Sequence, residues 1–199
     1  MVKTTTPRRR AAFTVLELIV AMALLGSVIG AATIAVLKIQ RDYTAQRTTT
    51  EARETIRSVE MILQRVFRSA RANPRNITVP PVAIVVNPLN RTGSSWDNVT
   101  VRADFNPTDG SVSQFWEDVQ VELTADTIYL RHKAGSPKEA IAYPVSSLRF
   151  QFYTLNGTEL TDAATAGTQA RRVKVTIGVP VPKTSTTLSR EIWIFLRNT

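Results

Sequence analysis

The sequence predicts an α+β protein in which a long N-terminal helix, half membrane-spanning and half stalk, packs on an antiparallel β-sheet head. Residues 18–37 carry no charge, apolar residues in the next segment recur at intervals of three and four, and apolar and polar residues alternate in the C-terminal half. These are the patterns of a membrane-length helix, an amphipathic helix and half-buried strands. We therefore divide the chain into a basic leader, the apolar and amphipathic halves of one helix, and a β-rich globular head: residues 1–12, 13–37, 38–75 and 76–199.

The apolar half of the helix is long enough to cross a bilayer. Its twenty uncharged residues span roughly 30 Å as an α-helix. Lys3 and residues 8–10, all basic, precede it, and cationic flanks stay in the cytoplasm, so we expect a single span with the head in the periplasm or outside. A cleaved secretory signal with a small-residue site at residues 30–33 is a weaker alternative, because its apolar core is usually shorter. A twin-arginine signal is weaker still, since it fits poorly with an acidic residue in the core.

Glu17 is the one acidic residue at the start of this apolar stretch. A carboxylate inside a membrane is costly, and it usually has a partner of opposite charge or a function. From this residue alone two interpretations stay open. Either Glu17 meets a positive charge in the membrane, or it lies at the headgroup level as a tolerated edge residue.

The amphipathic half continues the helix as a stalk. Residues 38–55 are polar and contain neither Gly nor Pro, so nothing in the sequence stops the helix. One apolar face then recurs at helical spacing and is predicted to pack under a sheet: Ile56, Val59, Leu63, Val66 or Phe67, and Ala70. The helix should end near Asn73, because the residue before Pro74 avoids helical geometry.

The head should consist mainly of antiparallel strands. We expect them at residues 99–105, 119–123, 128–132, 148–155, 172–181 and 189–197, where apolar and polar residues alternate. The short TAD segment at residues 124–126 predicts a hairpin, and Asn156-Gly157 predicts a turn. Residues 160–170, rich in Ala, Thr and Gly, are predicted to form a mobile loop. Residues 79–115 are only partly assigned.

The net charge of +9 is unevenly distributed. The leader contributes +4, Glu17 contributes −1, residues 38–75 contribute +5, and residues 76–199 contribute only +1. Clustered arginines on a helix usually form a solvated face. Phosphate binding by these arginines is the less favoured alternative.

The sequence offers little for catalysis. His132 is the only histidine and, by alternation, shares a strand face with Ile128 and Leu130, which favours a packed or surface role. The segment DFNPTDG at residues 104–110 has some of the composition of a calcium loop but the wrong spacing, so we interpret it as a turn. There is no cysteine, which excludes disulfides and thiolate metal sites. We therefore expect a structural protein, not an enzyme, with no cofactor and no metal.

The N-terminal segment RRRAAFTVLELIVAMALLG closely resembles the class III signal of type IV prepilins and pseudopilins. The resemblance implies that prepilin peptidase cuts between Ala12 and Phe13 and that the new N-terminal Phe13 is methylated. It also implies that Glu17 pairs with the N-terminal amine of a neighbouring subunit and so sets the register of a growing filament. Ala12 departs from the family pattern, in which the residue before the cut is usually Gly.

The C-terminal half resembles, more diffusely, the J-type minor pseudopilins of type II secretion and the PilW-like minor pilins. The segments that carry this likeness are VSSLRFQFYTLNGTEL, RRVKVTIGVPV and IWIFLRN. The resemblance implies a subunit of a small complex of minor and major pilins that begins or tips a filament. A DNA-binding minor pilin of a DNA-uptake pilus and a simple membrane-anchored periplasmic domain remain as alternatives.

Overall fold

The computed structural model describes residues 14–70, 84–86, 91–103, 117–133, 135–182 and 184–196. The chain forms two compact units, Met1–Arg47 and Thr48–Thr199, and helix α1 (Val15–Ser69) contributes residues to both. The predicted cleavage residues, the Asn73-Pro74 pair and the segment at residues 104–110 lie outside the described residues.

The two halves of α1 differ in burial. Every described residue of the first unit is exposed. In the second unit one face of the helix is buried, and it consists of Ala52, Ile56, Val59, Leu63, Val66 and Phe67. The spacing of three and four therefore marked the buried face correctly. The helix ends at Ser69, four residues before the predicted end.

Among the residues that the structure describes, the first sheet contains five antiparallel strands. Their order across the sheet is β1 (Ile84–Val85), β4 (Asn98–Arg102), β5 (Asp118–Thr124), β6 (Thr127–Arg131) and β7 (Glu139–Ala142). A two-residue turn, Ala125-Asp126, joins β5 to β6, which confirms the predicted hairpin. Buried and half-buried residues alternate along β4, β5 and β6, as expected for strands with one face in the core.

The second sheet is also antiparallel. Its strands lie in the order β11 (Thr187–Phe195), β10 (Arg172–Pro180), β8 (Ser147–Tyr153), β3 (Ser95–Trp96) and β2 (Arg91–Thr92), and β9 (Glu159–Leu160) pairs with β8. The two longest strands, β10 and β11, pair from end to end. At the predicted Asn156-Gly157 turn between β8 and β9, Gly157 has φ +88°, a conformation that favours glycine.

Helix α1 and both sheets share one hydrophobic core within the second unit. The ring of Phe67 on α1 lies 5.6 Å from that of Phe150 on β8, and the ring of Trp96 on β3 lies 5.4 Å from that of Phe152. All four side chains are fully buried. Because burying one large apolar side chain stabilises a fold by about 1.5–3 kcal/mol, this aromatic cluster is a major source of stability.

Residues 160–170 are not the loop that their composition predicted. They include the end of β9 and a short helix, α2 (Ala163–Gln169), whose Ala166 is buried. The Asp162 carboxylate caps this helix by accepting a hydrogen bond from the Thr165 N–H at 3.0 Å. That bond lowers the pKa of Asp162 below its ordinary value. The loop prediction failed because Ala and Thr residues behind an aspartate N-cap also suit a helix.

Candidate assembly and membrane-anchoring site

The first turn of α1 is closed by a reciprocal pair of side chains. The Thr14 hydroxyl accepts a hydrogen bond from the Glu17 N–H at 3.2 Å, and Glu17 Oε2 accepts from the Thr14 N–H at 2.9 Å. The Thr14 hydroxyl also lies 3.0 Å from Glu17 Oε2 and donates to it. This is a capping box, in which a Ser or Thr and a Glu or Gln three residues later satisfy free N–H groups at a helix start. Thr14 was not among the residues predicted from the sequence, although the T-x-x-E spacing was a readable signal.

The capping box leaves one carboxylate oxygen of Glu17 available. All three hydrogen bonds of the box involve Oε2 or the Thr14 hydroxyl, and Oε1 accepts none from a residue that the structure describes. Both partners follow the predicted cut between Ala12 and Phe13, so the box uses only atoms that a cleaved chain would keep. Glu17 can therefore cap its own helix and still accept a bond from an outside donor through Oε1.

The apolar half of α1 is the remaining part of this site. Among the described residues, α1 is the one helix that is long and apolar enough to cross a membrane, and none of its most apolar stretch is buried within the protein. Within residues 14–37 Glu17 is the sole charged residue. Large apolar side chains project from all sides of this half of the helix, and most are more than half exposed, among them Leu16, Met22, Leu25 and Ile34. A helix that is apolar all round is suited to lipid or to other apolar helices.

Two hydroxyl groups in this half, those of Ser27 and Thr33, donate hydrogen bonds to carbonyls of the same helix. The Ser27 hydroxyl donates to the Leu24 carbonyl at 2.8 Å, and the Thr33 hydroxyl donates to the Ile29 carbonyl at 2.8 Å. In a membrane an unsatisfied hydroxyl is costly, so these back-bonds make the segment compatible with lipid. Around Gly26 and Gly30 there is open space, with no atom within 4 Å of an added Cβ.

The head brings no catalytic set together in the part of the chain that the structure describes. His132 Nε2 lies 3.0 Å from Glu139 Oε2, in a pair at the end of β6. No group of three or more His, Asp or Glu residues among those described is arranged to hold a metal ion. The His132 side chain is mostly buried and contacts Glu139 at hydrogen-bond distance, in line with the packed or surface role that the sequence favoured.

Comparison with known families matches residues 7–33 to the prokaryotic N-terminal methylation motif. The matched residues include Ala12, Phe13 and Glu17, together with most of the apolar half of α1. A comparison with curated proteins found no match. The match covers the N-terminal segment alone, a segment of the kind that type IV pilin-like proteins carry, and it lies on a helix that is long and apolar enough to anchor the chain in a membrane.

Proposed function

We propose that this protein is a minor pilin or pseudopilin, a structural subunit that copolymerises through its N-terminal helix. In this role it helps to initiate or tip a type IV pilus or a type II secretion pseudopilus. The observation that supports the proposal most is the state of Glu17. It is the sole charge in the exposed apolar half of α1, residues 14–37, and its Oε1 has no donor among the described residues.

Cleavage by prepilin peptidase creates an amine that can donate a hydrogen bond to Oε1 of Glu17. Prepilin peptidase cuts between Ala12 and Phe13, and Phe13 then carries an N-methylated, positively charged amine. The amine of a neighbouring subunit approaches Oε1 of Glu17, and unlike charges attract strongly where water is excluded. Because one carboxylate meets one amine, the pair sets the axial register of the added subunit.

The same arrangement accounts for where each part of the protein lies relative to the inner membrane. The basic leader stays in the cytoplasm and is removed there, α1 spans the inner membrane once, and the head lies in the periplasm before the subunit enters a filament. A simple membrane-anchored periplasmic domain would share this topology but would need no partner for Glu17. Substitution of Glu17 therefore separates the two functions.

We expect the head to bind other pilin-like subunits in preference to copies of itself. The polar stalk at residues 40–55 offers little apolar surface with which a second copy could pair. Heads beginning at Lys38, a start that retains the whole second unit, should retain other minor pilin heads in a pull-down more readily than tagged copies of themselves. Exclusive homodimers in sedimentation would contradict this expectation.

We expect only weak binding of duplex DNA. Residues 76–199 carry a net charge of +1, and several of their cations are already paired: Arg102 with Asp118, Lys174 with Glu191, and Arg190 with Glu60. A titration at physiological salt should give a dissociation constant in the non-specific range of about 10⁻⁴–10⁻⁶ M.

The adjacent cations Arg171, Arg172 and Lys174 give the control for this titration. Arg172 and Lys174 share one face of β10, whereas Arg171 precedes the strand and bonds the Ala170 carbonyl at 3.2 Å. A nanomolar complex that disappears when Arg171 and Arg172 are replaced by alanine would favour the DNA-uptake alternative.

A further inference from the structure

Strand β11 is an open edge of the second sheet. It pairs with β10 over its full nine residues, and no other strand in the described part of the chain pairs with it. Long edge strands expose unpaired N–H and C=O groups and are natural sites for adding another strand.

The ladder shows which backbone groups are free. At its two ends the Val181 N–H donates to the Thr186 carbonyl at 2.9 Å, and the Leu196 N–H donates to the Arg171 carbonyl at 3.0 Å. In an antiparallel pair, alternate residues bond the partner strand. The even-numbered residues of β11 therefore bond β10, and the odd-numbered ones direct their N–H and C=O groups to the open edge. After Thr187 at the start of the strand these are Ser189, Glu191, Trp193 and Phe195.

The odd-numbered residues also form an exposed row of side chains on the outer face. Trp193 is 50% exposed and Phe195 is 60% exposed, whereas Ile192 and Ile194 on the opposite face are buried. The Trp193 ring packs 5.0 Å from that of Tyr153, which reaches it across β10. An added strand would thus meet a backbone that can bond it and two large apolar side chains that it can cover.

Two cationic side chains of β10 lie over the aromatic rings of this row. The Arg172 guanidinium lies 5.0 Å from the centre of the Phe195 ring, and Lys174 Nζ lies 6.0 Å from that of Trp193. Lys174 is paired with Glu191 at 3.3 Å. Arg172 has no carboxylate partner among the described residues, and its buried Nε has no hydrogen-bond partner there. Charge complementarity therefore favours an acidic side chain beside Phe195.

We propose that β11 binds an extended segment of another polypeptide, which adds to the second sheet as a further strand. The segment is apolar on the side that continues the row of Ile192 and Ile194, and it carries an acidic side chain that meets Arg172. Alternating N–H donors and C=O acceptors along the edge match a peptide backbone, whereas a phosphate backbone can only accept. This inference does not depend on the membrane half of α1 or on filament assembly.

Backbone amide exchange of the full chain in detergent micelles tests the proposal. In the protein alone, the amides of Ser189, Glu191, Trp193 and Phe195 should exchange fast, and those of Arg190, Ile192 and Ile194 should exchange slowly. The probe is an acetylated eight-residue peptide of alternating valine and glutamate. It should slow the four fast amides. In an added antiparallel strand the glutamates lie opposite the odd-numbered residues of β11 and donate their N–H groups to them, so the same peptide with N-methylated glutamates should not slow them. Slow exchange of these four amides without peptide would overturn the proposal, because the edge would then be occupied by the chain itself or by a second copy.

A matched pair of variants isolates the backbone contribution. Glu191→Pro and Glu191→Thr both remove the carboxylate and its ion pair with Lys174, but only proline removes the outward N–H. Proline is tolerated at an edge position whose N–H faces solvent. The proline variant should bind the peptide about tenfold more weakly than the threonine variant. Slow exchange of the Ile192 and Ile194 amides in the proline variant would show that the ladder between β10 and β11 is intact. Equal binding by the two variants would overturn the proposal.

Discussion

Replacing Glu17 with glutamine should leave the protein inserted and processed, but should exclude it from filaments. Glutamine can still accept the hydrogen bond from the Thr14 N–H, so the capping box and the first turn of α1 remain. It carries no charge, so the attraction to the amine of a neighbouring Phe13 is lost. We expect incorporation to fall roughly tenfold or more, since hydrogen bonds between charged groups are worth more than neutral ones. Immunolabelling of filaments, normalised to the membrane pool, measures this.

Two further substitutions separate the charge of Glu17 from its capping role. Glu17→Leu removes both, makes the helix more apolar, and should still insert. Thr14→Val keeps the charge but removes the hydroxyl that caps the helix, a loss that typically costs about 1 kcal/mol at a helix start. If the charge governs assembly, Thr14→Val should enter filaments far better than Glu17→Gln. Wild-type frequency of the Gln variant in labelled filaments would show that the carboxylate has no assembly role.

Replacing Phe150 with alanine should destabilise the head by about 3–5 kcal/mol. The Phe150 side chain is fully buried at the centre of β8, where it contacts Phe67 of α1. Its loss leaves a cavity between the helix and the second sheet. Such a change is a large fraction of the stability of a typical domain, so a substantial unfolded population is expected at physiological temperature. Urea unfolding of the full chain in detergent micelles, followed by tryptophan fluorescence, measures the free energy of unfolding.

Phe195→Ala is the control for this experiment. It makes the same chemical change in the same sheet, but on the exposed outer face, where substitutions usually change stability by no more than about 0.5 kcal/mol. Equal losses in the two variants would contradict the placement of Phe150 in the shared core and of Phe195 at the surface.

Helix α1 and the longer strands could be predicted from sequence because their patterns are local and long. All six predicted strands are present as β4, β5, β6, β8, β10 and β11, with ends that differ by no more than three residues. The strands that were missed are short: β1, β2, β3 and β9 have two residues each, and β7 has four, too few to show a period. The division of the strands into two sheets was also not predictable. It depends on pairings such as that of Trp96 with Phe150, which are far apart in the chain.

The candidate site was predictable in part. Glu17 stood out because a carboxylate in an apolar stretch is costly, and the methylation motif matches the segment around it. The capping role of Thr14 requires no long-range contact and was present in the T-x-x-E spacing. In contrast, the open edge at β11 could not be inferred from sequence, since the pattern of a strand does not show how many neighbours it has.

The mass of the intact protein purified from its native membrane tests the central claim most directly. A subunit processed for filament assembly should begin at N-methylated Phe13, so its mass should be lower than that of the uncut chain by residues 1–12 and higher by the CH2 that methylation adds. A full-length chain, or one that begins at Ala31 or later as a secretory cleavage would leave it, would contradict the account.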